Sequence, residues 1–345
     1  MEKKTQRVYN CLSQQEFVQG IYKLVPLRDE DKYVLMQWRN EQIDILRQKQ
    51  PLTKEEQERY FATTIAGLFT QEKPGQLLFS FLENDILIGY GGLVHIDWES
   101  KNGEVSFITE TKRNKDKQQF INDWCNYLRI LKSLAKEHLR FDKIYTYAYD
   151  IRPWLYPALL KSGFIKEARL KNHVVINKQT HDVLIHACFF NQLVFRMANE
   201  DDVMKYFDWA NDEEVRKNSF SNEVITIENH KKWFSQKLNT DTCFFYLFLL
   251  NGEPAGQIRI DKSNGETIIG ISVDKNYRGK SLGTEMLKQA TTNYLTKHKK
   301  EQVVAYIKLE NKASLNSFKK AGFENEEIVT EQNHKSYKLY KKLAV

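Results

Sequence analysis

No stretch of this sequence is apolar for long enough to cross a bilayer as a helix. The longest apolar run is Cys243 to Leu250, against the ~20 residues a membrane helix needs. The opening Met1-Glu2-Lys3-Lys4-Thr5 leads into a polar segment with no apolar signal core, so neither membrane insertion nor export is expected, and the expected compartment is the cytoplasm. Cysteine is scarce: Cys11, Cys125, Cys188 and Cys243 lie far apart, which excludes a cysteine-based metal knuckle or a redox pair read from spacing. They are expected as reduced thiols, mostly buried. No metal site is expected. Charge of one sign is not concentrated either. The net charge of +7 is spread along the chain, with no basic-aromatic motif to indicate nucleic acid. What is present fits a folded chain, with 41% apolar and 28% charged residues over 345 positions, a length that suggests two domains.

The two halves resemble each other. Asp31-Lys32-Tyr33-Val34-Leu35-Met36-Gln37-Trp38-Arg39-Asn40 is answered by Asp202-Val203-Met204-Lys205-Tyr206-Phe207-Asp208-Trp209-Ala210-Asn211. Ile88-Gly89 is answered by Ala255-Gly256, Asn102-Gly103-Glu104 by Asn264-Gly265-Glu266, and Ser162-Gly163-Phe164 by Ala321-Gly322-Phe323. Four landmarks recur in one order at a slowly shrinking offset, as an internal repeat requires.

Local patterns agree within each half. Val203, Tyr206, Phe207 and Ala210 have the spacing of an amphipathic helix. Phe244 to Leu250 reads as a strand, turns at Asn251-Gly252 and resumes at Gly256 to Ile260. The first half has Leu77 to Leu82, a turn at Asn84-Asp85, then Ile86 to Val94. Second hairpins turn at Asn102-Gly103 and Asn264-Gly265. A strand, a long helix, a strand (Lys143 to Tyr149; Val303 to Lys308), a short helix and one closing strand follow in each half. The expected fold class is α/β (α+β). It comprises two tandem domains, residues 1–190 and 191–345, each with a mixed, mostly antiparallel central sheet flanked by helices.

In the second half, strand Ile268 to Val273 runs into Asp274-Lys275-Asn276-Tyr277-Arg278-Gly279-Lys280-Ser281-Leu282-Gly283-Thr284. A helix follows, with Leu282, Met286, Leu287, Ala290 and Tyr294 on its apolar face. Small residues at 279, 281 and 283 let the backbone bend and approach a ligand. Unpaired amides and the helix dipole then favour an anion, with Arg278 and Lys280 adding charge. A diphosphate would fit; read without context, an ordinary turn with a basic flank is the alternative.

Arg278-Gly279-Lys280-Ser281-Leu282-Gly283 resembles the R/Q-x-x-G-x-G/A coenzyme A loop of the GNAT N-acetyltransferase superfamily. The segments Ile307 to Ser314 and Phe318 to Phe323 are similar to it too, so the resemblance covers nearly all of residues 193 to 345. Trp209 to Asp212, Val215 to Ser219 and His230 to Phe234 look closest to bacterial nucleotide-amino-sugar N-acetyltransferases.

The resemblance implies acetyl transfer from acetyl-coenzyme A, as cosubstrate, to a primary amine. The amides of Arg278, Gly279, Lys280, Ser281, Leu282, Gly283 and Thr284 would hold the pyrophosphate. The splayed strand at Ile271 to Val273 would pair with the pantetheine arm, one of its amides polarising the thioester oxygen. Asn311 would contact pantetheine or a bound water, or cap its helix, or both; Ser314 and Phe318 would lie against the cofactor. The superfamily often places a proton-donating tyrosine where this chain has Phe318, which carries no proton, so solvent or the incoming amine must supply it. A carboxylate base is often found where Ile268 stands. Glu266, two residues earlier on the same face, would act through water, or is a solvated hairpin glutamate. Arg216 and Lys217 could bind a substrate diphosphate, or form a solvated basic loop end. His230 and Trp233 are expected to pack one face of a helix.

The first half keeps the scaffold but not the glycine loop, having Glu110 to Gln119 in its place. Gly91 to Trp98 before Glu104 to Phe107 resembles members of the superfamily linked to polysaccharide synthesis, and His95, Asp97 and Glu104 could line a polar site there. The expected acceptor is therefore a small-molecule amine, a nucleotide-linked amino sugar of surface polysaccharide synthesis. Two alternatives stand beside it: acetylation of protein or peptide N-terminal amines as in the ribosomal-protein enzymes, and a non-catalytic acyl-coenzyme A-binding module.

Overall fold

A computed structural model describes residues 7–263 and 265–343. The chain divides after Gln192 into two compact units. The first has strands β1 (Phe17–Gln19), β2 (Tyr22–Pro26), β3 (Leu77–Glu83), β4 (Ile86–Asp97), β5 (Asn102–Thr109), β6 (Lys143–Tyr149), β7 (Ile165–Ile176) and β8 (Gln179–Phe189). Its helices are α1 (Lys32–Glu41), α2 (Lys54–Tyr60), α3 (Ala66–Thr70), α4 (Lys117–Ser133) and α5 (Leu155–Lys161). The second has β9 (Leu193–Met197), β10 (Cys243–Leu250), β11 (Glu253–Ser263), β12 (Glu266–Val273), β13 (Gln302–Lys308), β14 (Glu324–Glu331) and β15 (His334–Lys342). Its helices are α6 (Val203–Ala210), α7 (Glu213–Asn218), α8 (Ile227–Leu238), α9 (Leu282–Lys297) and α10 (Lys312–Lys320).

Each unit is one mixed sheet, ordered β1-β2-β3-β4-β5-β6-β8-β7 and β14-β15-β13-β12-β11-β10-β9. Only β5–β6 and β12–β13 pair in parallel; every other neighbour is antiparallel. This is the α+β architecture that the alternation of strand and helix patterns indicates. α9 shows why the helix lies where it does: Met286, Leu287, Ala290 and Tyr294 are buried. A Cβ on Gly256 would meet the Ser272 carbonyl oxygen of β12 at 2.6 Å and the end of the Met286 side chain at 2.7 Å, so a side chain here would crowd the neighbouring strand as well as the helix. His230 is buried and its ring lies 5.5 Å from those of Phe207 and Trp233, the packing face its spacing implies.

Three readings of the sequence are corrected. Each half ends not in one strand but in a hairpin, whose second strand inserts beside β6 or β13. The second hairpin of the first unit turns at 98–101, while Asn102 and Gly103 already belong to β5. The Asp97 carboxylate fixes that turn by accepting from the amides of Glu99 (3.0 Å) and Ser100 (2.8 Å), which settles the chain reversal before Asn102-Gly103 is reached. In the second unit Gly265 is in the turn with φ +80°; Asn264 lies outside the described residues. All four cysteines are free, but only Cys188 and Cys243 are buried.

The repeated Trp-x-Asn has a structural job. Asn40 donates to the carbonyl of Leu52 (2.9 Å) and accepts from its amide (2.8 Å). Asn211 does the same to Ile225, at 2.9 Å in both directions. In both units this asparagine pins the returning end of the long loop that follows the first helix. Likewise Asp31 and Asp202, buried at the start of those helices, each take a two-pronged bond from an arginine, Arg28 and Arg196. Asn211→Ala removes two bonds of about 1 kcal/mol each. Urea denaturation should show a loss of about 2 kcal/mol, and Asn40→Ala, which also loses the bond from Gln48 (2.8 Å), a loss of about 3 kcal/mol.

Candidate active site

The second unit opens where its two parallel strands part. β12 and β13 share a single rung, Ile268 with Val304. Beyond it β12 continues to Val273 paired only with β11, Ile271 opposite Ile258 and Val273 opposite Gly256. One edge of residues 269–273 thus faces the opening with its backbone groups unpaired by strand, a ready template for an extended ligand.

At the end of β12 the chain turns through 274–281 into α9. Gly279 has φ +74° and a Cβ built there would meet nothing within 4 Å. Ser281 is also left-handed, at φ +59°, and makes no side-chain bond to the helix it precedes. The first-turn amides of α9, including Leu282, Gly283 and Thr284, therefore have no side-chain cap. Gly283 lies 3.5 Å from Val273 and 3.6 Å from Ile271, measured from its Cβ position, which places the uncapped turn directly over the free strand. Open space, two left-handed residues and an uncapped 16-residue helix meet at one point, the arrangement an anion needs.

The side chains of the turn do something the sequence did not indicate. Arg278 is committed to the fold. It donates to the Val273 carbonyl (3.1 Å), to Glu214 (2.8 Å) and to Asp212 (2.5 Å), so its charge is already matched within the fold. Burial tends to raise the Asp212 pKa, but Arg278 and backbone donors outweigh it and the carboxyl titrates below its usual range. Lys280 is exposed, donates to the Asn276 carbonyl at 3.1 Å and lies 5.6 Å over the Tyr277 ring, and with exposed Lys275 it adds positive charge to the turn. Below it, buried Asp274 accepts from Lys205 (2.8 Å), the Trp209 indole (2.9 Å) and the Asn276 amide (3.0 Å).

The other candidate residues separate. Asn311 caps α10, accepting from the Ser314 amide at 3.0 Å, the helix role its position suggests. Phe318 is 3% exposed and packs edge-on to Phe323 at 4.9 Å inside the core. Glu266 lies five residues from Ile271, about 17 Å along the strand. Its carboxylate is bound by Lys338 (2.8 Å) and the Tyr306 hydroxyl (2.5 Å), Lys338 foremost in holding its pKa low. Arg216 and Lys217 diverge. The Arg216 guanidinium staples its own loop through Ser219 and the carbonyls of Ser221 and Glu223, while Lys217 is exposed. Buried Lys308 donates to the Lys217 carbonyl at 3.1 Å. Tyr306 and Lys308 share one face of β13 and were readable from its alternation; Lys338 was not, since β15 was unforeseen.

The corresponding turn of the first unit is closed. Asp116 caps α4 by accepting from the Gln119 amide at 2.7 Å. Arg113 clamps buried Asp123 through two bonds of 2.7 Å and reaches Glu83 at 3.1 Å. The protein's own carboxylate stands where an anion would bind.

Residues 23–185 and 192–324 each match a family model described as an acetyltransferase (GNAT) domain. An uncharacterized N-acetyltransferase of Methanocaldococcus jannaschii is 30% identical over 111 residues, 29% of this chain and 49% of that protein. The chain thus spans about half the length of the curated relative it matches. Among solved structures, the chain is similar to an aminoglycoside acetyltransferase bound to coenzyme A (18% identity, 44% of this chain and 95% of that one, TM-score 0.39). It is also similar to a Vibrio cholerae spermidine N-acetyltransferase with coenzyme A and spermine (12% identity, 44% and 95%, TM-score 0.41). The chain belongs to the GNAT acetyltransferase family and carries two such domains in tandem.

The Asp274 cluster makes a pH prediction. Burial works against its ionisation, but Lys205, Trp209 and the Asn276 amide prevail and hold its pKa at about 2. A carboxyl depressed on folding contributes stability that is complete above its unfolded value near ~3.9 and disappears as pH falls through the folded one. Urea midpoints of the native protein and Asp274→Asn should differ at neutral pH and converge as pH falls from about 4 to about 2.

Proposed function

We propose that the second domain binds acetyl-coenzyme A and transfers its acetyl group to a primary amine of a small molecule. The observation that carries this reading is the uncapped turn at 279–284 seated over the free edge of β12. The residues present fit the cofactor: an open cradle at Gly279, helix amides without a cap, and an unpaired strand edge beneath them. Its pyrophosphate would lie against the amides of Arg278 to Thr284, and its pantetheine arm along Ile271 to Val273. Bound there, it supplies an activated thioester. An amide of the 271–273 segment would donate to the thioester oxygen as negative charge develops, the oxyanion contribution usually made by backbone donors. Asn311, by capping α10, holds the start of that helix beside the opening.

Proton transfer falls to water or to the amine itself, since Phe318 offers no donor. Glu266 is acceptor-only, with Lys338 foremost in lowering its pKa, and at about 17 Å from Ile271 it is too far to take the amine's proton through a single water. For the acceptor we favour a nucleotide-linked amino sugar. Exposed Lys217 and buried Lys308, the latter with a carbonyl as partner, lie together beside α7 and would suit a diphosphate. The first domain, with its turn closed by Asp116, has no equivalent phosphate cradle.

Titration of the full chain with acetyl-coenzyme A tests the cofactor reading directly; no binding at millimolar ligand would overturn it. Gly279→Val places a β-branched residue in a left-handed conformation and fills the cradle. It should raise KM for acetyl-coenzyme A by more than about tenfold, the strain alone being of order 1–2 kcal/mol. Turnover compared on a 4-amino-sugar nucleotide and a peptide amine decides the acceptor, with a preference for the sugar expected.

A further inference from the structure

The two units finish the outer edge of their sheets differently. In the first, β1 pairs with the outer side of β2, and Phe17 of β1 stands opposite Leu24 of β2. Both side chains are buried. The Phe17 ring is edge-on to Phe79 at 6.0 Å and to His138 at 5.0 Å, the latter in the helical segment that continues α4. The chain before β1 is tied down as well. The Tyr9 hydroxyl donates to the Leu78 carbonyl and accepts from the Leu78 amide, both at 2.8 Å.

In the second unit the sheet stops one strand earlier. β9 takes the place of β2: the repeat that aligns Asp31 with Asp202 sets Phe195 where Leu24 stands. Phe195 is paired with Phe248 of β10 as Leu24 is with Phe81 of β3. Among the described residues no strand pairs with the outer side of β9. Phe195 is only half-buried, and a groove of about 520 Å³ lies between it and the flank of α9 that carries Gln289 and Thr292. The lining also holds Lys288 and Lys297, both exposed, against Glu285, which accepts from Gln289 at 3.0 Å. Two cations to one carboxylate leave the groove basic. All fifteen strands of the described residues already lie in one of the two sheets, so none is left over to fill it.

We propose that this groove is a docking site for an extended segment of a partner protein, added to the sheet as a strand beside β9, with an aromatic side chain against Phe195 and an acidic residue next to it. Backbone pairing with the free edge supplies the attachment, and the aromatic ring fills the groove as Phe17 fills the space beside Leu24 in the first unit. The acidic neighbour answers Lys288 and Lys297. An edge strand left bare is open to unselective pairing; the groove beside β9 adds a side-chain requirement that the backbone alone lacks. Docking here does not rest on the cofactor reading of the second domain.

The test titrates the full chain with a blocked synthetic peptide of residues 13–21, which carries the Glu16-Phe17 pair, and follows both calorimetric heat and amide hydrogen exchange in β9. Saturable binding with Kd below about 1 mM is expected, together with slowed exchange at 194–196. The same peptide with Phe17→Ala should bind at least about tenfold more weakly, as loss of an aromatic anchor requires. Thr292→Trp in the protein, which fills the groove from α9, should weaken binding at least about tenfold as well. Should that variant unfold in a thermal melt, Lys288→Glu, an exposed position, should weaken binding about threefold or more at low salt. No saturable binding at millimolar peptide, equal affinity for the Phe17→Ala peptide, affinity unchanged by the groove variants, or binding without slowed exchange in β9 would each overturn the proposal.

Discussion

Everything at the candidate site depends on two parallel strands that stay together briefly and then part. A parallel pair in the middle of an otherwise antiparallel sheet must be joined by a crossover, and α9 is that crossover in the second unit, as α4 is in the first. Because α9 starts at the end of β12, the helix amides and the free strand edge are necessarily neighbours. Donors aimed at an anion and donors aimed along an extended chain thus come from one connection. No catalytic side chain is needed to create the opening. The half-buried asparagine clamps of both units fix the loop that follows the first helix, while the buried aspartates tie the start of that helix to an arginine just before it.

The two units show what the same connection does under different sequences. In the second, Gly279 and Ser281 adopt left-handed conformations and Ser281 leaves the helix uncapped. A left-handed serine without a compensating bond is strain, of the kind that persists where surrounding structure or a ligand compensates it. In the first, Asp116 caps α4 and Arg113 bridges Asp123 and Glu83, so the helix terminus is satisfied internally. The first arrangement satisfies its helix terminus from within the chain, and the second leaves that terminus without a side-chain cap. That difference follows from the identity of the N-cap residue: a carboxylate brings its own anion to the dipole, and a hydroxyl turned away leaves the place open.

Much of this was legible in the sequence because it is local. Helical spacing, hairpin turns at Asn84-Asp85 and Asn251-Gly252, the glycine turn and the repeated Trp-x-Asn are all encoded within a few residues of one another. What was not legible is long-range. The partners of Arg278 are Asp212 and Glu214. Glu104 finds Arg47 and Glu266 finds Lys338, choices made by which strand lies beside which. Reading the closing hairpin as one strand hid Lys338 altogether. At Asn102-Gly103 a good turn pair lost to Asp97, whose carboxylate satisfies two amides before the pair is reached.

Arg278 shows how a motif residue can act without touching the ligand its motif serves. Its guanidinium joins the end of β12, through the Val273 carbonyl, to the first turn of α7, through Asp212 and Glu214. Asp212 is also the N-cap of α7, accepting from the Val215 amide at 3.2 Å, so one carboxylate serves both the helix and the clamp. The segment that carries Lys217 is thereby fixed relative to the phosphate turn. Replacing arginine by lysine would keep the charge but could not span three acceptors in one plane. The positive character that a diphosphate would meet at the turn then comes mainly from backbone amides and the helix dipole, with exposed Lys275 and Lys280 beside them. Such a site selects for the close approach that Gly279 permits more than for net charge.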